Sequence, residues 1–208
     1  MKITSSSFDP DHAIPDEFAF GEPDPVNHFT FAPNKNPHLA WSDVPEGVRS
    51  FGLICVDTDV PTVGDDVNQE GRTVSKDLPR TDFYHWVMVD IAPELREIAE
   101  GSCSSGVTPG GKQNPSAPGG ARQGVTDYTS WFAGDETMGG TYFGYDGPAP
   151  PWNDEIVHHY HFLLYALDVE QLSVSGEFSA ADVREAMEGH VLAEASVTGT
   201  YTMNPDLR

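Results

Sequence analysis

Apolar positions along the chain concentrate in three runs, and each reads as a strand. "SFGLICV" (50–56) carries no charged residue and suits a strand buried on both faces, ending in an acidic loop at Asp57–Pro61. "FYHWVMVDI" (83–91) and "VHHYHFLLYAL" (157–167) combine aromatic and β-branched residues in the manner of strands. A final strand is expected at Ala195–Met203. The best helical pattern is "SAADVREAMEGH", with Ser179 as N-cap, Asp182 three residues on and Gly189 near its end. "APELREIAEG" (92–101) predicts one or two further helical turns.

The intervening segments are of a different character. Residues 1–47 are broken by proline and turn residues, which fits short strands and excludes long helices. Residues 62–81 are polar and read as an exposed loop, and 101–153 are dominated by Gly, Ser, Pro and Asn with no apolar period. A loop that long inside a compact domain is either functional or packed as irregular structure. There is no internal repeat and no regular βαβ alternation, so 208 residues read as one β-rich domain spanning 1–208.

Charge changes the picture more than composition does. Thirty-three acids face eleven bases, for a formal net charge of −22, and only Lys2, Lys35, Lys76 and Lys112 are lysines. The acids are dispersed, as expected of a halophilic protein kept hydrated in a salt-rich cytoplasm. Such a balance excludes nucleic acid as the expected partner, because phosphate backbones need clustered basic residues. Cys55 sits in an apolar run as a small hydrophobe, and Cys103 lies among Gly and Ser, so the two make neither a disulfide framework nor a zinc motif. No apolar signal core opens the sequence and no run is long enough to span a bilayer, which predicts a cytoplasmic protein without membrane insertion.

The candidate chemistry lies at strand ends. In "HHYHFLLYAL" a strand places His158, Tyr160 and Phe162 on one face, and His159, His161 and Leu163 on the other. The three histidines therefore cannot converge on one ligand. An H-x-H metal pair at His159 and His161 would need a third ligand from elsewhere. Asp57 and Asp59 flank Thr58 at the end of a buried strand, where they serve either a site or turn chemistry. His85 opens another apolar strand, and "GPAPP" is stiff backbone with few donors. No G-x-S-x-G elbow, P-loop or dinucleotide fingerprint is present.

In order along the chain, "NPHLAWSDVPEGVRSFGLICVDTDVP", "YHWVMVDI", "GYDGPAPP", "VHHYHFLLYALD" and "AMEGHVLAEASVTGTY" resemble the phosphatidylethanolamine-binding protein family, in its bacterial and archaeal Raf-kinase-inhibitor-like branch. The likeness covers nearly the whole chain. It implies a mainly β fold, with a large antiparallel sheet packed on a smaller one and a few peripheral helices, one near the C-terminus. It implies a pocket for phosphate or a phosphorylated head group, built from Asp57, Pro61, His85, Gly147, Pro150, Pro151, His158 and Tyr160, with no cofactor and no bound metal. In some branches it implies regulation of a protein partner, and a homodimer is compatible with it. Thr58 departs from the family's D-P-D turn, His159 stands where arginine is usual, and 62–82 and 101–130 are longer or unusual. The function expected is binding without catalysis. Its rivals are a metal-dependent β-fold enzyme using His159 and His161, and a kinase- or protease-inhibiting module whose pocket is vestigial.

Overall fold

The computed structural model describes residues 1–208. Its strands are β1 (Lys2–Thr4), β2 (Gly21–Glu22), β3 (Thr30–Phe31), β4 (Leu39–Ser42), β5 (Ser50–Pro61), β6 (Arg80–Ile91), β7 (Glu97–Ile98), β8 (Arg122–Gln123), β9 (His158–Leu167) and β10 (Val191–Tyr201). Two short helices, α1 (Tyr128–Trp131) and α2 (Ala180–Ala186), lie outside the sheets. The large sheet is antiparallel in the order β10-β9-β5-β6-β8, a smaller one runs β1-β4-β7, and β2 and β3 form a separate ribbon.

The position of β5 explains its uninterrupted apolar sequence. It is the central strand, covered on both faces. Phe51, Leu53 and Cys55 join Trp86, Met88, Phe162 and Leu164 of its neighbours, and pack against Ile3, Leu39 and Trp41 of the small sheet. On the reverse face Ile54, Val87, Val89 and Leu167 pack against Val183 and Met187 from α2 and its end. That helix is held as the sequence expects: Ser179 Oγ accepts from the Asp182 amide at 3.3 Å, and the Asp182 carboxylate accepts from the Ser179 amide at 2.8 Å.

Several expected boundaries shift. β5 does not stop before its acidic segment but continues to Pro61, and β6 starts at Arg80, because the two strands keep pairing through Val60↔Thr81. β10 covers Val191–Tyr201 instead of Ala195–Met203; its exposed first residues still find β9 as a partner. The turns expected in 92–101 are not helical. Ile98 is the only fully buried residue in that segment, and β7 pairs with the edge of β4 through Leu39↔Ile98. Residues 62–79 are largely exposed turns pinned by Val74, which is buried and bridges to Asp154. The long 101–153 segment is packed irregular structure, containing β8 and the single turn α1. No helix is long and apolar enough to cross a membrane.

Candidate functional site

At one end of the large sheet a cavity of about 740 Å³ opens between β5, β6, β9, α1 and the proline loop. Strand register brings the polar groups together. Asp57 on β5 is directly opposite Tyr160 on β9. Inward alternation along β5 runs Phe51, Leu53, Cys55, Asp57, so this carboxylate is the polar end of a core-facing row.

His85 reaches the same space through a β-bulge. Cys55 pairs with Trp86 but Val56 pairs with Tyr84, so β6 carries one extra residue at His85. Trp86 packs into the main core and Tyr84 against the α2 side, while His85 faces Tyr160, Phe83 and Tyr128, at ring separations of 5.2, 5.0 and 5.4 Å. Strict alternation would have placed His85 on the opposite face from Trp86.

Asp57, Pro61, His85, Pro150, Pro151, His158 and Tyr160 all line the cavity. Gly147 does not. It sits behind the wall, where an added Cβ would meet the Phe18 carbonyl oxygen at 2.0 Å, and its own carbonyl accepts from the Tyr128 hydroxyl at 2.8 Å. His159 and His161 lie on the other strand face. His159 Nδ1 is 2.8 Å from Asp59 Oδ2, and His161 Nδ1 is 2.8 Å from Thr198 Oγ1. No set of three His, Cys, Asp or Glu side chains is gathered in metal-holding geometry, so the pair lacks the third ligand that an enzymatic metal site would require.

His158 stands in the wall in a role the sequence did not suggest. Its ring is fully buried between two carboxylates, with Nδ1 2.8 Å from Asp57 Oδ2 and Nε2 3.1 Å from Asp154 Oδ2. Arg80 grips Asp154 from the far side with two bonds of 2.6 and 3.0 Å. His158 therefore lines the pocket without a free donor for a ligand, because both its ring nitrogens already meet carboxylates. Burial alone would push this imidazole down, but Asp57 and Asp154 outweigh it and raise its pKa to about 9. Burial likewise pushes the Asp57 carboxyl up, and His158 more than reverses that, holding it below the ordinary range. Asp57–His158–Asp154–Arg80 is thus a row of alternating charges with no net charge.

The groups left open to the cavity are fewer. Tyr160 Oη is buried and makes no well-formed hydrogen bond, with the Asp57 carboxylate as the neighbouring acceptor. Burial, then the nearby Asp57 carboxylate, keeps this phenol protonated well above its usual pKa. His85 Nδ1 lies 2.9 Å from the Asp146 carbonyl oxygen, which can only accept, so Nδ1 carries the proton and Nε2 is the nitrogen facing the cavity. Burial pushes the His85 pKa down, so in the neutral ring Nε2 is an acceptor. Asp57 has both oxygens in use, one by His158 and one by the Asp59 amide at 2.8 Å. No Lys or Arg lines the cavity; its walls combine Phe20, Phe83, Tyr128 and other apolar groups with the polar Asn68, Asp82, Asp127 and Ser130.

The profile of the family described as phosphatidylethanolamine-binding protein matches residues 4–202. The chain belongs to the phosphatidylethanolamine-binding protein family. Within the family it falls with the YbhB and YbcL branch. The UPF0098 protein YbhB of Escherichia coli K12 is 33% identical over 169 residues, covering 81% of this chain and 82% of that protein. A UPF0098 protein of Aquifex aeolicus is 32% identical over 186 residues, covering 88% and 84%. Among solved structures, a putative family homologue from Chlamydia trachomatis superposes with a TM-score of 0.65 at 27% identity, covering 96% of this chain and 95% of its own. Escherichia coli YbcL shares the fold, with a TM-score of 0.68 at 23% identity and 97% coverage of both chains.

Arg80, Asp154, Lys112 and Asp146, which support the pocket from behind, had no local signature. Asp154 does stand four residues before His158. Only the fold, however, turns that spacing into a contact.

Proposed function

We propose that this protein binds, without catalysis, a phosphate-type oxyanion that carries one proton, free or as part of a phosphorylated head group. The observation carrying the proposal is the buried Tyr160 hydroxyl, which makes no well-formed hydrogen bond, on a ring packed edge-on against His85 in a cavity of mixed aromatic and polar lining. A buried donor without a partner is costly, and a ligand oxygen would satisfy it. Neutral His85 would accept the ligand's own proton, or take one up as the anion enters. With no Lys or Arg on the lining, and with the His158 imidazolium already held between Asp57 and Asp154, recognition rests on hydrogen bonds. A fully ionised anion would be repelled by Asp57. Neither His85 nor His158 is bonded to a hydroxyl or thiol that it could activate, which favours binding over nucleophilic turnover. The dispersed acids fit the same protein working in concentrated salt inside the cell, and regulation of a partner would follow from what fills the cavity.

Calorimetric titration with phosphate, phosphoethanolamine and acetate, at constant high salt and several pH values, tests this. Affinity should fall as pH rises past about 6, where a phosphate monoester loses its second proton. Tyr160→Phe should bind roughly tenfold or more weakly, since one charge-assisted bond is worth about 1.5–3 kcal/mol. His161→Ala should bind as wild type does. No detectable binding in the wild type, or equal binding by Tyr160→Phe, would overturn the proposal.

A further inference from the structure

One lysine of the four is buried. Lys2 and Lys76 are exposed and Lys35 half-buried in surface ion pairs, whereas Lys112 comes from the Gly-rich segment before β8 and its side chain is only 11% exposed. In a chain so poor in lysine, burying one is a cost that needs a reason. The segment is shaped to deliver it. Gly111 has φ +98°, and a Cβ there would meet the Thr141 carbonyl at 2.7 Å; one on Gly140 would meet the Gly110 carbonyl at 2.1 Å. This close approach lets the Lys112 amide donate to Thr141 O and its carbonyl accept from the Phe143 amide, both at 3.0 Å.

From that anchor the ammonium runs inward. Nζ donates to Asp146 Oδ1 at 2.9 Å, to the Tyr145 carbonyl, and at 3.4 Å to Ser104 Oγ. Asn34 Nδ2 donates to the same carboxylate oxygen at 2.8 Å, and Asn34 Oδ1 accepts from the Gly147 amide at 2.9 Å. The backbone held this way is the one that reads His85. The Asp146 amide donates to His85 O at 3.0 Å, and the Asp146 carbonyl accepts from His85 Nδ1 at 2.9 Å.

We infer that Lys112 is a positioning residue for the pocket: by fixing residues 145–146 it aims the Asp146 carbonyl at His85 Nδ1, and so sets which nitrogen of His85 faces the ligand. The role of His85 toward a ligand rests on the function proposed above; the tautomer does not. The other groups facing His85 are Asp57 on β5, Tyr160 and His158 on β9, Tyr128 of α1 and Phe83 on its own strand. None of these side chains bonds Nδ1; the Asp146 carbonyl makes that bond, next to the Gly147 backbone that also acts on the ring.

The test is nitrogen-15 NMR of the imidazole rings, with phosphate titration, for wild type, Lys112→Met, and Lys112→Met combined with Asp146→Asn. The double variant removes both charges and avoids stranding a buried carboxylate, so it decides the matter if the single variant does not fold. In the wild type His85 should show a fixed Nδ1–H tautomer. In the folded variants that signature should collapse toward a tautomer mixture while the His158 signals stay in place, and phosphate affinity should drop about tenfold, one lost hydrogen bond's worth. A folded variant that keeps the His85 tautomer intact would overturn the inference. A wild type that binds no phosphate, yet whose tautomer depends on Lys112, would remove the anion reading and leave the positioning role standing.

Discussion

Alkaline pH should weaken this fold through one residue, His158. Its imidazole lies between Asp57 and Asp154, fully buried, with a folded pKa raised to about 9. In the unfolded chain the same group titrates near 6.5. A group whose folded pKa is raised contributes its full stabilisation below the unfolded value and loses it as pH climbs through the folded one. The contribution is therefore complete below about pH 6.5 and exhausted somewhat above about pH 9. A difference of about 2.5 units at about 1.4 kcal/mol each comes to roughly 3–4 kcal/mol, a sizeable share of the roughly 5–15 kcal/mol typical of a domain. Asp57 acts on the opposite limb: its folded pKa is depressed, so its contribution is present above its unfolded value near 3.9 and lost as pH falls. Urea unfolding at constant salt, from pH 6 to 10, reads the alkaline limb directly. The His158→Gln variant should be less stable at pH 6, because two buried carboxylates lose their shared cation, and its stability should barely respond between pH 6.5 and 9. A wild-type curve flat over that interval, or a His158→Gln curve with the same slope, would refute the charged sandwich.

Two further outcomes are expected. Thermal midpoints in KCl should rise and keep rising beyond about 0.5 M, where simple screening is largely complete, because the chain carries a net charge of −22; a flat midpoint would remove the salt-adapted reading. Gly147→Ala forces a methyl to within 2.0 Å of the Phe18 carbonyl and should cost roughly 1–3 kcal/mol in a denaturation curve, although Gly147 does not touch the cavity; a wild-type midpoint would show that this backbone can yield.

Much of this protein is legible in its residues alone. An uninterrupted apolar run announces a strand covered on both faces, and β5 is the central strand. The alternation in "HHYHF" separates His158 and Tyr160 from His159 and His161, and burial follows that division. Ser179 and Asp182 spell a capping box that forms. These are local properties, set by strand period and short-range hydrogen bonds, so a sequence can carry them. What the resemblance to the family supplied was the set of pocket residues, not what each one bonds. The fold alone decided that. A one-residue bulge turns His85 onto the face of Trp86, against the alternation its own strand would dictate, because pairing with β5 slips between Cys55 and Val56. Asp57 and Asp154 take the two sides of His158, with Arg80, 78 positions away, holding Asp154 in place, and convert an apparent donor into a buried cation. Lys112 looks like a loop lysine until Gly111 and Gly140 bring its backbone against 141 and send its ammonium behind His85. Each of these depends on register and long-range contact, and the protonation of a buried group follows from partners that are adjacent only once the chain has folded.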